Sequence, residues 1–250
     1  MINNVLMQNK QSWNVMADTW FGTMALPAYG CLIPTEKELQ LFPTLDGTKV
    51  LDIGCGSGHS LKWCGDNGAS ELWGIDISTK QIENAQRFLL ESGYDAKLFD
   101  SPMEERGHLP ENYFDVVYSI YALGWTVDLT KTIHNIASSI KKGGILIFSW
   151  DHPLMHCVTA QDNKLLLEGC NYLNDDMVSF ELRGNPVTLQ SRKMSTWINA
   201  LAEAGFKIEK LVEETSEEVL AQECEFSTKY YAPSRAKKMP LSFVVKASKL

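Results

Sequence analysis

Short apolar runs alternate with segments of helical periodicity along most of the chain. The runs are rich in β-branched and aromatic residues, and turn-forming residues follow them. Seven strands are predicted in this way, at residues 49–53, 72–77, 96–99, 114–120, 145–150, 206–212 and 241–247. Because the strands alternate with helical segments, the pattern predicts an α/β fold in which helices cover a parallel sheet.

The helix after the second predicted strand has the clearest start signal. Ser78 with Gln81 three residues later forms a capping box, and Ile82, Ala85 and Leu89 then share one helical face. Further helices are predicted at residues 58–64, at 133–140, and at 195–204 with Ser195 as N-cap.

Two segments lack this regularity. Residues 151–191 are polar and rich in turn formers, which predicts an insertion with irregular structure and a hairpin. Insertions at strand ends often determine specificity. Residues 213–239 are too polar to assign to an element.

Composition and charge narrow the range of partners. The chain has 250 residues, 44% of them hydrophobic, which suits one compact domain. Its net charge of -8 disfavours nucleic acid, whose phosphates bind clustered Lys and Arg. The six cysteines have neither CxxC pairs nor the close spacing of a disulfide or zinc framework. There is no signal-peptide pattern, and no apolar run approaches the ~18 residues of a membrane span, so we expect a cytoplasmic protein with no membrane partner.

Glycines cluster in the segment VLDIGCGSGHS, directly after the first predicted strand. Glycines at such a turn allow backbone amides and a helix N-terminus to approach a small ligand closely. A dinucleotide fingerprint would need a glycine where His59 stands, and a Walker A loop would need GK followed by Ser or Thr. The spacing that fits is DxGxGxG, formed by Asp52, Gly54, Gly56 and Gly58.

This string resembles motif I of the class I, Rossmann-like S-adenosylmethionine-dependent methyltransferases. The segments ELWGIDIS, KLFDSPME, FDVVYSIYAL and IKKGGILIFSW are similar to the strands and turns that follow in that family. The segment SRKMSTWINALAEAGFKIEKL resembles its small-molecule branch, including enzymes of quinone-biosynthesis type. The similarity is good over about residues 46–150 and looser over 192–250.

The resemblance implies a three-layer sandwich around a seven-stranded, mostly parallel sheet whose last strand is antiparallel. It implies a single methyltransferase domain over residues 1–250, made of four successive parts: N-terminal lid helices (1–45), a cofactor-binding core (46–150), a substrate-side insertion (151–191) and a C-terminal helix with strands (192–250). The implied cofactor is S-adenosyl-L-methionine, and the product is S-adenosyl-L-homocysteine.

The same resemblance indicates which residues hold the cofactor. Asp76 matches the acid that binds both ribose hydroxyls, and Asp100 matches the acid that accepts a hydrogen bond from the adenine amino group. The full set implied is Asp52, Gly54, Cys55, Gly56, Gly58, Asp76, Ile77, Asp100, Ser101, Ser119 and Trp20. Within it, Cys55 is interpreted as small filler rather than as a nucleophile, since no cationic neighbour is identifiable to lower its pKa.

Aromatic residues on three segments are candidates for the methyl-acceptor pocket. Trp13 and Trp20 fall on one face of an N-terminal helix and fit either a lid over the cofactor or ordinary core packing. Tyr121 and Trp125 follow the fourth strand and fit either an aromatic pocket or burial under helices. Topology and family likeness add Tyr172 and Arg192, giving as substrate-binding candidates Trp13, Tyr121, Trp125, Tyr172 and Arg192.

His152 is the candidate general base. It follows the fifth strand, whose end faces the expected crevice, and imidazole titrates near neutral pH. The alternative is a structural histidine held by the turn before Pro153.

These features predict transfer of a methyl group to an oxygen, carbon or nitrogen nucleophile of a small metabolite. The NPPY-type motif of nucleic-acid and protein amino-group methylases is missing after the fourth strand, and no carboxylate cluster for a metal is visible. The alternative is an S-adenosylmethionine-binding regulatory or partner protein without catalysis, because fold likeness alone does not establish activity. We expect a monomer or homodimer.

Overall fold

The computed structural model of the chain describes residues 2–250. The helices are α1 (Ile2–Met16), α2 (Glu36–Leu39), α3 (His59–Asp66), α4 (Thr79–Glu91), α5 (Leu129–Ser139), α6 (Met194–Glu203), α7 (Glu217–Ala221) and α8 (Pro233–Ala236). The strands are β1 (Lys49–Ile53), β2 (Glu71–Asp76), β3 (Ala96–Asp100), β4 (Phe114–Ile120), β5 (Ile140–Asp151), β6 (Thr159–Gln161), β7 (Lys164–Leu166), β8 (Met177–Leu182), β9 (Asn185–Gln190), β10 (Phe206–Val212) and β11 (Ser242–Lys249).

Seven strands form the central sheet, in the order β10-β11-β5-β4-β1-β2-β3. The strands β1 to β5 pair in parallel, whereas β11 is antiparallel to both β5 and β10. The predicted fold class, a mostly parallel Rossmann-like sheet with an antiparallel last strand, is therefore confirmed. The chain runs from β1 outward to β3 and then returns to β4 beside β1, which opens a crevice at the carboxyl ends of these strands.

Both faces of the sheet are buried under helices. On one face, Ile133 of α5 and Leu201 of α6 pack in a core cluster with Phe148. On the other, Leu61 of α3 and Leu89 of α4 lie in a second cluster. Because the central strands are covered on both sides, their sequences are nearly continuous apolar runs rather than alternating ones.

Two predicted helix starts differ from the structure. The N-cap of α6 is Lys193 rather than Ser195, and both the Lys193 amide and the Thr196 hydroxyl donate to the Asp175 carboxylate. At α4, Ser78 Oγ accepts from the Gln81 amide at 3.1 Å, as a capping box requires. The reciprocal half is missing, because the Ser78 amide donates to Asp76 Oδ1 instead.

The insertion after β5 forms two antiparallel hairpins, β6–β7 and β8–β9. The second hairpin is joined to α1 by side-chain hydrogen bonds. Asn9 Nδ2 donates to the Thr188 carbonyl at 2.7 Å, and the Thr188 amide donates back to Asn9 Oδ1 at 2.9 Å. Ser12 Oγ adds a bond to the Pro186 carbonyl at 2.6 Å. The N-terminal helix and the insertion therefore close over the crevice together.

Candidate active site

A cavity of about 830 Å³ lies at the carboxyl ends of β1, β2, β4 and β5. This volume is within the ~300–1,000 Å³ typical of small-molecule sites. Of the predicted site residues, its wall includes Trp13, Trp20, Asp52, Gly54, Cys55, Gly56, Asp76, Ile77, Ser101, Tyr121 and Trp125. The structure thus brings most of the predicted cofactor residues and three of the predicted substrate residues to one cavity.

The glycine turn has different roles at its three glycines, all of which have positive φ. A Cβ on Gly54 would lie 2.3 Å from the Cβ of Ala122, so this glycine permits close contact with the end of β4. A Cβ on Gly56 would have no protein atom within 4 Å, so the backbone there faces open space. A Cβ on Gly58 would lie 3.0 Å from Leu89, which shows that Gly58 serves helix packing and does not belong to the cavity wall.

Asp76 is fixed at the end of β2 by two backbone amides. Its Oδ1 accepts from the Ser78 amide at 2.8 Å and its Oδ2 from the Gly56 amide at 3.0 Å. Burial raises the pKa of Asp76 to about 6, and these two hydrogen bonds oppose that rise. The carboxylate is therefore ionised at neutral pH, and its remaining lone pairs are available to hydroxyl donors of a ligand.

Two buried polar atoms on this side of the cavity have no hydrogen-bond partner among residues 2–250. They are the indole Nε1 of Trp20, a donor, and Oε1 of Gln81, an acceptor. Buried polar groups are usually hydrogen-bonded, so unpaired ones on a cavity wall indicate that a ligand supplies the missing partner. A carboxylate, an amide oxygen and an N–H donor around exposed backbone fit a nucleoside with a polar tail.

Two side chains beneath the turn, Cys55 and Asp52, are buried, and burial favours the protonated form of each. Burial, together with the charges of Asp76 and Asp52, raises the pKa of the Cys55 thiol well above its usual range. Burial likewise raises the pKa of Asp52. Cys55 is thus a protonated thiol, in agreement with its interpretation as filler rather than as a nucleophile.

The other half of the cavity is aromatic and apolar. The Trp13 ring makes edge contacts with Trp20 and with Trp125, at centroid distances of 6.1 Å and 5.2 Å. The ring centroid of Phe180, in the β8–β9 hairpin, lies 6.3 Å from that of Trp125. The N-terminal segment, the loop after β4 and the insertion meet here. Trp13 and Trp20 are half-buried on the cavity wall and are not among the buried core residues, which disagrees with ordinary core packing. Their role as a lid over the cofactor stays a prediction.

A cluster of tyrosines around Asp151 completes this half. Asp151 Oδ1 accepts from Tyr121 at 2.8 Å and from Tyr231 at 2.9 Å, and Tyr230 lies 3.5 Å from Oδ2. Burial raises the pKa of Asp151 to about 6, while the tyrosine hydrogen bonds lower it. The tyrosines at 230 and 231 come from the segment that the sequence left unassigned. The only signal there was the run YYAPSR, which is too short to show a period.

Two further cofactor residues implied by the resemblance lie off the cavity wall. Asp100 is an exposed acid at the end of β3, and Lys10 Nζ binds its carboxylate at 2.6 Å and 2.8 Å. Ser119 is fully buried, and its hydroxyl donates to the Ile53 carbonyl at 2.7 Å. Ser101 and Ile120, the residues that follow each of them, line the cavity instead.

Three predicted residues on the substrate side also lie elsewhere. His152 accepts from the Leu154 amide at Nδ1 and binds Glu213 at 2.7 Å through Nε2, so both ring nitrogens are engaged away from the cavity. Tyr172 accepts a hydrogen bond from the Met194 amide. The geometry supports the structural alternative for His152, because neither nitrogen is free to take a proton from a substrate.

Arg192 is the third. Its guanidinium is buried and donates to backbone carbonyls of Gly124 and Thr126. Burial lowers its pKa to about 10, so it remains a cation at neutral pH. Arg192 therefore anchors the loop after β4 rather than reaching the substrate.

Residues 51–148 match the family model described as "Methyltransferase domain". An uncharacterized protein of Haemophilus influenzae is 29% identical over 193 residues, which cover 73% of this chain and 76% of that protein. A ubiquinone biosynthesis O-methyltransferase of Salmonella enteritidis is 31% identical over 115 residues, 46% of each chain, so the alignment spans about half the length of that relative.

Among solved structures, an S-adenosylmethionine dependent methyltransferase from Mesorhizobium loti has a TM-score of 0.70 at 24% identity, covering 84% of this chain and 95% of that one. The matched residues 51–148 therefore form a methyltransferase domain, and the fold is similar to that of S-adenosylmethionine dependent methyltransferases of known structure. S-Adenosyl-L-methionine is accordingly the cofactor that the glycine turn, Asp76 and the unpaired groups of Trp20 and Gln81 would hold. Within residues 2–250, no helix is both long and apolar enough to cross a membrane.

Proposed function

We propose that the protein transfers a methyl group from S-adenosylmethionine to an oxygen, carbon or nitrogen nucleophile of a small metabolite in the cytoplasm, as a single-domain enzyme. The observation that carries this proposal is the continuity of the cavity. A polar half, formed by the glycine turn and Asp76, opens directly into an aromatic half formed by Trp13, Tyr121 and Trp125.

The cavity suits an in-line displacement. The cofactor, when bound, supplies a methyl group already activated on a sulfonium. The residues of this chain then have to orient the acceptor and exclude water, and orientation alone accounts for up to ~7–11 kcal/mol in well-aligned reactions. The rings around the aromatic half supply a dry wall for that purpose. An apolar, partly aromatic metabolite is the acceptor class that such a wall favours.

A small acceptor is also favoured over a macromolecule. The helix α1 is bound to β9 through Asn9 and Thr188. It is also bound to the start of α4 through Asn14, whose Oδ1 accepts from the Ser78 hydroxyl at 2.8 Å. A side chain of a folded protein or a nucleic-acid base would have to displace these contacts. The net charge of -8 further disfavours a nucleic acid.

The test is transfer of a labelled methyl group. The protein is incubated with methyl-labelled S-adenosylmethionine and a panel of aromatic, phenolic and amine metabolites, and the label is followed into small-molecule and macromolecular fractions. We expect label in a small molecule, and less label with Asp76→Ala as the control when S-adenosylmethionine is kept at a subsaturating concentration. Tight binding of S-adenosylmethionine with no transfer to any fraction would favour the alternative, a cofactor-binding protein without catalysis.

A further inference from the structure

Arg235, on the short helix α8, has an unusual environment. It is 3% exposed and lies on the wall of the cavity. Its Nε and Nη1 atoms are buried and have no hydrogen-bond partner in the described part of the chain. None of the ion pairs within residues 2–250 includes it. A buried cation without a partner is costly, so this arrangement points to a ligand that supplies the acceptor.

The neighbouring acid does not serve as this partner. Asp151 accepts hydrogen bonds from Tyr121 and Tyr231, and Tyr230 lies at 3.5 Å. Tyr230 also contacts Arg235, whose guanidinium carbon lies 5.6 Å from the centroid of the Tyr230 ring. The tyrosines thus satisfy the carboxylate and leave the guanidinium facing the cavity.

A guanidinium presents a planar pair of N–H donors, which match the two oxygens of a carboxylate or phosphate. The nearby wall is otherwise apolar and aromatic, including Met155, Val158 and Trp150. We propose that Arg235 binds a terminal oxyanion, carboxylate or phosphate, of the methyl acceptor, whose remaining surface is apolar. This inference rests on the proposed function for the identity of the ligand as an acceptor.

The cofactor also has a carboxylate, but its expected position is elsewhere. Asp76 ends β2 and the glycine turn follows β1, whereas Asp151 ends β5, and β4 lies between β1 and β5 in the sheet. Arg235 belongs to the Asp151 side, two strands away from the glycine turn. This separation places the oxyanion on a second molecule in the proposal, and the S-adenosylhomocysteine affinity of the variants tests it against the carboxylate of the cofactor.

The experiment measures ligand affinity by calorimetry on protein saturated with S-adenosylhomocysteine. Benzoate and phenyl phosphate are the oxyanion probes, and benzamide is the neutral probe. The variants are Arg235→Met and Arg235→Lys, with Arg106→Met as a matched control, since Arg106 is exposed and pairs only with Glu111 on the surface. We expect the wild type and the control to prefer at least one oxyanion over benzamide by about tenfold or more. Arg235→Met should lose the preference, and Arg235→Lys should keep part of it.

The two oxyanion probes separate the sources: a preference for benzoate assigns a carboxylate acceptor, and a preference for phenyl phosphate assigns a phosphorylated one. An undiminished preference in Arg235→Met would overturn the proposal. So would a loss of S-adenosylhomocysteine affinity of about tenfold or more in this variant, since Arg235 would then hold the cofactor.

Thermal melting of the unliganded variants tests a purely structural role. Removing an unpaired buried cation should leave the melting temperature of Arg235→Met equal to or above that of the wild type. A fall of several degrees in both Arg235 variants would contradict the proposal. The calorimetric measurement of oxyanion binding does not depend on turnover. Arg235-dependent oxyanion binding without any methyl transfer would refute the proposed function but would still support the anion site.

Discussion

The backbone amide of Gly56 donates a hydrogen bond of 3.0 Å to Oδ2 of Asp76. The glycine turn after β1 and the acid at the end of β2 are therefore one unit rather than two independent ligand contacts. Gly56 has a positive φ, and its hydrogen bond opposes the rise that burial causes in the pKa of Asp76. Changes at either residue should affect cofactor binding together.

Asp76→Ala should weaken binding of S-adenosylhomocysteine by ~1–3 kcal/mol, or about 5-fold to 150-fold, because a charge-assisted acceptor is lost. Isothermal titration calorimetry measures this directly. Asp95→Ala is the matched control, since Asp95 is an exposed acid beyond α4. Equal affinity of the Asp76 variant and the wild type would refute the ribose assignment.

Cofactor affinity should fall as the pH drops through about 6. The pKa of Asp76 is raised from 3.8 to about 6, mainly by burial, so its carboxylate takes up a proton in this range and loses acceptor capacity. Affinity for S-adenosylhomocysteine should be constant above about pH 7 and decline by up to roughly tenfold per pH unit below 6. Titrations of wild type and Asp76→Asn between pH 5 and 8 test this, and the variant should give a weaker, flatter profile.

Unfolding does not account for that decline. Because the pKa of Asp76 is higher in the folded protein than its ordinary value of 3.8, the folded state binds the proton more tightly than the unfolded chain. The contribution of Asp76 to folding stability thus increases as the pH falls from 6 towards 3.8. Asp151, whose pKa is also raised to about 6, acts in the same direction. An affinity loss of the same size in Asp76→Asn over this pH range would contradict this assignment.

Alanine at the first two glycines of the turn should separate folding from binding. In Gly54→Ala the new methyl group meets Ala122 at 2.3 Å and φ is +76°, so we expect a loss of ~2–5 kcal/mol in unfolding free energy. In Gly56→Ala no protein atom lies within 4 Å, and only the strain at φ +50° remains, ~1–2 kcal/mol. Urea denaturation measures both variants.

For Gly56→Ala, the methyl group enters the open space that the cofactor would occupy. Its main effect should therefore be a loss of S-adenosylhomocysteine affinity, whereas Gly54→Ala should lose stability first. If Gly56→Ala bound the cofactor product as well as the wild type, the turn would not be the cofactor cradle.

The elements that could be predicted from the sequence are those with long, regular patterns. Strands β1 and β4 coincide with their predicted ranges because both are buried runs that end at a turn. The residues of the polar half were indicated by the family resemblance, and they lie together because the residues after neighbouring parallel strands meet at one edge of the sheet. Their role in holding the cofactor stays a prediction.

The aromatic half of the cavity could not be predicted in this way, because it is assembled from contacts between distant segments. Arg235 and Tyr231 lie on or before a helix of four residues, too short to show a period, and Asp151 meets them only in the folded chain. The side-chain directions of Asp100 and His152 were likewise decided by partners remote in sequence, Lys10 and Glu213. Sequence position placed these two residues near the crevice but could not show which way they point.

His152→Gln should leave turnover and S-adenosylhomocysteine affinity unchanged while lowering stability. Its imidazole caps the turn at Leu154 and binds Glu213, and losing these bonds should cost ~1–3 kcal/mol, at the lower end because Glu213 is half exposed to solvent.

Burial lowers the pKa of His152 below 6.5, although Glu213 opposes this. A histidine that is harder to protonate when folded stabilises the protein fully above pH 6.5, and that contribution is lost as the pH falls through this value, because the unfolded chain takes up the proton first. The wild type should therefore lose stability on acidification below pH 6.5 by an increment that His152→Gln lacks, measured as the difference in melting temperature between pH 8 and pH 5.5. Abolished methyl transfer in a folded variant that still binds S-adenosylhomocysteine would instead return His152 to the role of general base.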